Sequence, residues 1–470
     1  MNFKNKVKST IAVCMVLTAS ACETFLDVNK NPNDPTDAPM SSLLTNATYQ
    51  TPLNVFREGS AISNYVQYLA SPNPASGSDT MEPSNFSTLW FNLYNVMTDL
   101  NEIMLKAEEN GANHYLGVGQ VLMALNLGMT VDFFGDVPYS EGFNFTTVTP
   151  SYDDDQSLYE NIDALLTDAI ANLNAESTFT INADDFIYQG DIQRWIKFAY
   201  ALQARYMIHT KGTEGYNAAD VLAAVDNSFT SNVDDAQVFF FEQDINPWSD
   251  VAIDNENLLL GGWISEQFVQ ALDGTSYPTV DPRMEYMIGT TKDGEYLGTV
   301  NGAGRGNAPE QGARSTLIPG QFYTSELSPV LIFTYAELKF IEAEAAFETD
   351  KERAYEAYLK GIEAHMDMLE VPEADKNAYL SAPSVSMGVA SFTMDDIFKE
   401  KYVALFLHPE TWNDARRYDY AYKNMELPAN LNPDLNGEFI RRMAYPDSEV
   451  SRNGANVPSV TLLDRIWWDQ

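Results

Sequence analysis

From Phe86 onward, apolar residues recur at alternating steps of three and four: Phe86, Leu89, Leu93, Val96, Leu100, Ile103 and Ala107. On a helix of 3.6 residues per turn these positions share one face, so the spacing predicts a helix with a single buried stripe. Asn110-Gly111 supplies a C-terminal stop, and a second stripe begins at once with Val118, Val121, Leu122, Leu125 and Met129. Two helices joined by so short a link must pack antiparallel. The stripe returns at Leu158, Ile162, Leu165 and Leu173, at Ile192, Trp195, Ile196, Ala199, Leu202 and Tyr206, and at Leu331, Tyr335, Leu338, Ile341 and Ala345. A one-sided helix cannot hide its apolar face alone, so a chain with this many is constrained to a mostly α fold of stacked helical hairpins.

The hairpins resemble tetratricopeptide units in shape, although the signature residues of that repeat do not return at a constant spacing. The middle differs. From about Asn246 to Leu327 the chain is rich in Gly, Pro, Asn and aromatics, as in Asn246-Pro247-Trp248, Gly261-Gly262-Trp263 and the stretch from Gly298 to Gly312. Loops and short strands are expected there, and long irregular segments in a compact fold are where ligands are often held. Gly302, Gly304 and Gly306 hint at a phosphate cradle, but the strand before and the helix within such a loop are missing, and an exposed flexible loop is the expectation.

The N-terminus carries Lys4, Lys6 and Lys8, then a short apolar run from Ile11 to Leu17, then Ala19-Ser20-Ala21 before Cys22. This is the pattern of a secretory signal ending at a lipidated cysteine, with Ala19 where Leu is more usual. The expected organisation is a signal peptide at 1–21, a lipidated N-terminus and Pro-rich tether at 22–40, and a single domain at 41–470. Asp27, Asn29 and Asn31 alternate as at the start of a calcium loop, but Pro32 and Ala38 occupy the places of the turn Gly and the bidentate Glu. Cys14 lies in the signal, so the mature chain has no pair for an internal disulfide and core packing must hold the fold. No second apolar run is expected to span a membrane. A formal net charge of -39 would repel phosphate backbones, which excludes nucleic-acid binding as a main function.

No HExxH helix, GxSxG elbow or Walker-type loop is present, and His114, His209, His365 and His408 do not fall at metal-ligand spacing. The expectation is a non-enzyme with no metal or cofactor. With 67 acidic residues, carboxylate pairs must occur by chance, so a surface glycoside hydrolase stays open as an alternative. Flat aromatics stack on the C–H faces of sugars, and Trp248, Trp263, Tyr296, Phe322 and Tyr323 lie in the loop-rich region rather than on a helix stripe. They are the candidate ligand-binding residues, with the polar loop from Ser71 to Asn85 able to complete the site. Trp90, Trp195, Trp412, Trp467 and Trp468 read as core.

Several local patterns, in order, resemble the SusD-like (SusD/RagB) family. They are Phe25-Leu26-Asp27-Val28-Asn29-Lys30-Asn31-Pro32, Asp132-Phe133-Phe134-Gly135-Asp136-Val137-Pro138-Tyr139, Gly190-Asp191 with Trp195, Asp281-Pro282-Arg283, Tyr335-Ala336-Glu337, Trp412 with Arg416-Arg417, Tyr445-Pro446 and Arg465-Ile466-Trp467-Trp468-Asp469. The resemblance implies four tetratricopeptide-like helix pairs packed against an irregular ligand-binding half. It also implies a lipid-anchored protein on the outer face of the outer membrane that binds oligosaccharide and delivers it, without cleavage, to a TonB-dependent SusC-like transporter. Related lids serve other nutrients, so a non-sugar ligand such as peptide is a further alternative, as is a structural adaptor that binds no free ligand.

Overall fold

The computed structural model describes residues 38–470 apart from 145, 259, 260 and 307–311. The signal, Cys22 and all but the last residues of the tether lie outside the described residues. The first half is helical: α1 (Met40–Ile62), α2 (Ser87–Asn110), α3 (Asn113–Phe134), α4 (Asp155–Leu173), α5 (Ile192–His209) and α6 (Ala218–Asp226), with β1 (Leu69–Ala70) after α1. The chain then passes through β2 (Ala236–Phe239), α7 (Pro247–Leu258), β3 (Trp263–Ile264), α8 (Glu266–Leu272), α9 (Met284–Met287) and β4 (Pro329–Phe333). It returns to helices with α10 (Tyr335–Ala346), α11 (Lys351–Met368), α12 (Glu373–Leu380), α13 (Met394–Ala404), α14 (Glu410–Arg417) and α15 (Asp447–Asn453). Two small antiparallel ribbons complete the fold: β1 pairs β3 with Leu69 opposite Ile264, and β2 pairs β4 with Val238 opposite Val330.

Successive helices from α1 to α6 pack on one another, and α10, α11 and α13 form a second group against α5 and α6. The stripe of α2 is buried as spaced, and the helix ends at Gly111, whose φ of +64° gives the left-handed cap that Asn110-Gly111 foretold. Helix starts are written in side chains: Asp154, Asp191, Ser265, Thr334 and Asp350 each accept a backbone N–H from the first turn of the helix that follows. On α4 the buried residue is Leu166, with Leu165 at the edge.

Helix α3 departs from the one-stripe expectation, because every residue from Tyr115 to Phe134 is buried. By length and hydropathy it is apolar enough to cross a membrane, against the expectation that no second apolar run would be. Its whole circumference is instead covered by protein, since α1, α2, α4 and α5 all pack on it, so it is the central helix of the core. Leu331 also corrects a stripe: it lies in β4, and α10 begins only at Tyr335 behind the Thr334 cap.

The middle segment is more ordered than its composition suggested. Asn246-Pro247-Trp248 is not a loop but the start of α7: Asn246 Oδ1 accepts the Trp248 N–H at 2.8 Å, and Pro247 takes the first helical position, where its missing N–H costs nothing. The stretch from 298 is likewise packed through Gly304. Asn301 is buried and donates to Leu69 O at 2.9 Å, and a Cβ on Gly302 would lie 1.8 Å from Ala429 O. Close backbone approach and a left-handed φ of +75° both require glycine there.

Buried ionic groups knit the helices. Arg205 on α5 forms a two-pronged pair with Glu337 on α10, and His209 on α5 is bonded by Glu410 on α14 and Tyr159 on α4. Burial alone would raise the Glu410 carboxyl, but His209 and Arg205 beside it hold it well below the usual range. A second knot joins the middle to the C-terminal helices: Arg283 pairs with both Asp281 and Glu400, and His365 stands between Arg283 and the Tyr323 hydroxyl.

Candidate ligand-binding groove

A groove of about 610 Å³ runs between the first turns of α2, the segment 138–150 and α15. That volume lies within the range of small-molecule and oligosaccharide-sized pockets, whereas three of the other cavities have room for about 20 to 40 Å³, little more than a water molecule. A fifth, about 240 Å³, lies at Tyr159, Met207 and Trp467 between α4 and α5.

Hydrogen bonds staple the three walls together. Asn85 Nδ2 donates to Asp447 Oδ2 at 3.0 Å, the Ser448 N–H to Ser87 Oγ at 3.2 Å, and Asn453 Nδ2 to Pro150 O at 2.8 Å. The Tyr94 hydroxyl donates to Pro138 O at 2.7 Å and the Tyr152 hydroxyl to Glu449 Oε2 at 2.9 Å. Burial, reinforced by Glu449, raises the Tyr152 phenol far above its ordinary range, so it stays a neutral donor.

The floor is aromatic. Trp90 lies edge-on to Phe134 at 5.1 Å and beside Tyr94 at 4.9 Å, so it is packed in the core while lining the groove. Next to it Phe91 is 61% exposed, the only aromatic among the described groove residues that turns most of its surface to solvent. Ser87 and Thr88 supply hydroxyls beside these rings. Flat apolar faces with hydroxyl groups at their edge are the chemistry that recognises a pyranose: stacking on its C–H surface and hydrogen bonds to its hydroxyls. Among the described lining residues Glu449 is the one carboxylate.

None of the five aromatics expected from the sequence lines this groove. Trp263 is wholly buried in β3, Trp248 is buried in α7 with its ring edge-on to Phe56 at 4.8 Å, and Tyr323 is buried with its hydroxyl on His365 Nε2 at 3.0 Å. These three have no exposed face to offer, because the loops around them fold into short elements that use large rings as core. Tyr296 and Phe322 are half-buried and keep part of their surface free. The loop from Ser71 to Asn85 is organised by buried Asp79, which accepts from Ser71 N at 3.0 Å, Gly302 N at 2.8 Å and Asn64 Nδ2 at 2.6 Å. It reaches the groove at its last residue, Asn85, on the rim beside α15.

Phe91 was missed although a signal existed. It is two residues from both Leu89 and Leu93, which places it about 200° around α2 from the buried stripe. A large aromatic on the polar face of an amphipathic helix has no core to enter.

The expected core tryptophans Trp90, Trp195, Trp412 and Trp468 are buried, and Trp467 is half-buried. His209, His365 and His408 are buried and hydrogen-bonded, and His114 reaches Ala175 O. Carboxylates of Asp136, Asp154 and Asp155 come within 4.8 Å of one another and could gather a cation, but each already accepts a backbone N–H: from Asp155, Ser157 and Trp467 respectively.

The described residues thus form a helical scaffold that carries an aromatic-floored surface groove. The chain belongs to the SusD-like family described as starch-binding and associating with the outer membrane, which its residues 32–446 match. Solved structures share the fold. A SusD homologue from Bacteroides fragilis has a TM-score of 0.77 at 20% identity, covering 92% of this chain and 100% of its own. A SusD/RagB family protein from Bacteroides thetaiotaomicron has a TM-score of 0.75 at 23% identity, covering 92% and 99%. A chitin-binding SusD homologue from Flavobacterium johnsoniae has a TM-score of 0.75 at 20% identity, covering 91% and 97%. No curated protein matches the sequence.

Proposed function

We propose that this protein is a non-catalytic glycan receptor of the outer cell surface, held there by acylation of Cys22, that captures oligosaccharide in the groove beside α2 and delivers it to a TonB-dependent SusC-like transporter. The observation that carries the reading is Phe91, an exposed aromatic standing next to the buried Trp90 floor of a cavity large enough for several sugar units. The family described as starch-binding and the chitin-binding relatives support a glycan as the ligand class. A hydrolase would need two opposed carboxyl groups across the scissile bond, and the described groove lining offers one, whose Oε2 is engaged by Tyr152. Tyr296 and Phe322 remain the proposed secondary contacts, since part of each ring is free.

The test is binding of oligosaccharides by calorimetry. Phe91→Ala is expected to cost on the order of 1 to 3 kcal/mol of affinity while leaving the melting temperature unchanged, because the ring packs on no core. Wild-type affinity in this variant would move the site to Tyr296 and Phe322. Shortening of the bound sugar over time would make the protein an enzyme. For the anchor, Cys22→Ala is expected to shift the protein from outer-membrane to soluble fractions in cells that lack the transporter, because the acyl chains supply the membrane affinity.

A further inference from the structure

We propose that the groove is built for a glycan bearing an anionic substituent, a carboxylate or a sulfate, and that Arg452 is the residue that receives it. The inference rests on the glycan reading above and names the kind of sugar.

Cations are scarce in this chain, with 28 Lys and Arg against 67 Asp and Glu, and the structure spends them in ion pairs. Arg205 is taken by Glu337, Arg283 by Asp281 and Glu400, Arg353 by Asp226 and Glu342, and Arg417 by Glu344 and Asp414. Arg452 is different. It lies on α15 in the groove wall, it is exposed, and no hydrogen bond, ion pair or ring contact to its guanidinium is found among the described residues.

The acids that should neutralise it are on the same short helix and are turned elsewhere. Glu449 stands at the i−3 position, the spacing at which opposite charges on a helix ordinarily pair, yet its Oε2 receives the Tyr152 hydroxyl at 2.9 Å. Asp447 receives Asn85 Nδ2 at 3.0 Å. Both acids therefore hold the walls of the groove together, and Arg452 lines the same cavity as Phe91 and Trp90 with a guanidinium, a planar fork of donors, that no described group engages. Such a fork matches carboxylate and sulfate oxygens two at a time, which a neutral hydroxyl cannot reproduce. The molecule's net charge of -39 would repel an anion at long range, but at about 0.15 M salt screening acts within roughly 8 Å. The described groove lining carries one charge of each sign, Glu449 and Arg452, and the Arg452 donors left unengaged among the described residues are what an entering anion would meet.

The experiment is a glycan array carrying neutral, uronate-containing and sulfated oligosaccharides, probed with the full mature protein, Phe91→Ala, Arg452→Gln and Arg452→Lys, with a thermal melt of each. The expected result is Phe91-dependent binding to acidic members. Arg452→Gln should weaken it about tenfold, which is 1.4 kcal/mol. Arg452→Lys should retain part of it, and chemical reduction of the uronate carboxyls should mimic Arg452→Gln. Uronate and sulfate arms tell the two anion sources apart. Phe91-dependent binding confined to neutral members, or acidic binding untouched by Arg452→Gln, overturns the inference while leaving the glycan reading intact. Glycan binding that does not depend on Phe91 places the ligand elsewhere and overturns the inference, and absence of any glycan binding overturns the reading and the inference together.

Discussion

Two carboxylates of this chain, Asp235 and Glu410, are almost equally buried, yet their neighbours set opposite protonation. Glu410 has His209 and Arg205 at hand, whereas Asp235 has one strong partner, the Tyr335 N–H at 2.6 Å, and Asp234 close by. Burial therefore pushes the Asp235 carboxyl up to about 8, from an ordinary 3.8. A group whose folded value is raised contributes stability that is complete below pH 3.8 and is lost as pH climbs through about 8, because the unfolded chain ionises first. Asp235→Asn keeps the acceptor for Tyr335 and removes the titration. Urea unfolding at pH 5, 7 and 9 should show a shallower decline for the variant than for wild type, and parallel declines would show that Asp235 does not carry this slope. At this scale the sequence was only partly legible. Trp195 was placed in the core by its helical stripe, and Trp90, Trp412 and Trp468 by the family-like motifs they lie in. Trp248, Trp263 and Tyr323 were not, because periodicity assigns no faces where elements are two to twelve residues long and separated by turns.

Among the elements, α3 shows why a helix can be obvious while its environment is not. Its apolar residues occupy every side, so the stripe read from Val118 to Met129 was correct and incomplete. The missing information was in its small residues. A Cβ on Gly128 would fall 2.2 Å from the Tyr206 hydroxyl oxygen and 2.3 Å from the ring carbon bearing it, and that ring is held edge-on to Tyr159 at 5.8 Å. Gly128→Ala should therefore destabilise by about 1 to 3 kcal/mol through overpacking, against the roughly 1 kcal/mol by which alanine favours a helix. Gly119→Ala is the control: its Cβ would come closest to Met104 Cγ, at 3.1 Å, on a side chain that can yield, with Ile103 Cγ2 at an ordinary 3.5 Å. Denaturant midpoints that fall for both variants alike would refute the distinction. Leu331 and α7 were misread for local reasons: a five-residue strand abutting a capped helix continues its apolar spacing, and Asn-Pro signals a turn or a helix start with equal force.

For the whole molecule, the family resemblance carried what composition could not, since an ordered set of short motifs reports on pairings hundreds of residues apart. The irregular middle is fastened to the helices by the Arg283–Glu400 pair, by the Tyr323–His365 bond and by Phe268, which stacks on Phe406 with centroids 4.5 Å apart. Scaffold and middle should therefore unfold together. Far-ultraviolet circular dichroism and tryptophan fluorescence are expected to give coincident denaturant transitions, and two separated midpoints would make the middle a domain of its own. The same wiring has a consequence in time. Trp468 is buried over Arg416 and donates its indole N–H to Asp132, 336 residues earlier, on the central helix. At synthesis rates of roughly 5 to 20 residues per second, α3 waits on the order of tens of seconds for the side chain that completes its surroundings. The first half of the chain therefore acquires its full set of core contacts only when its last residues arrive.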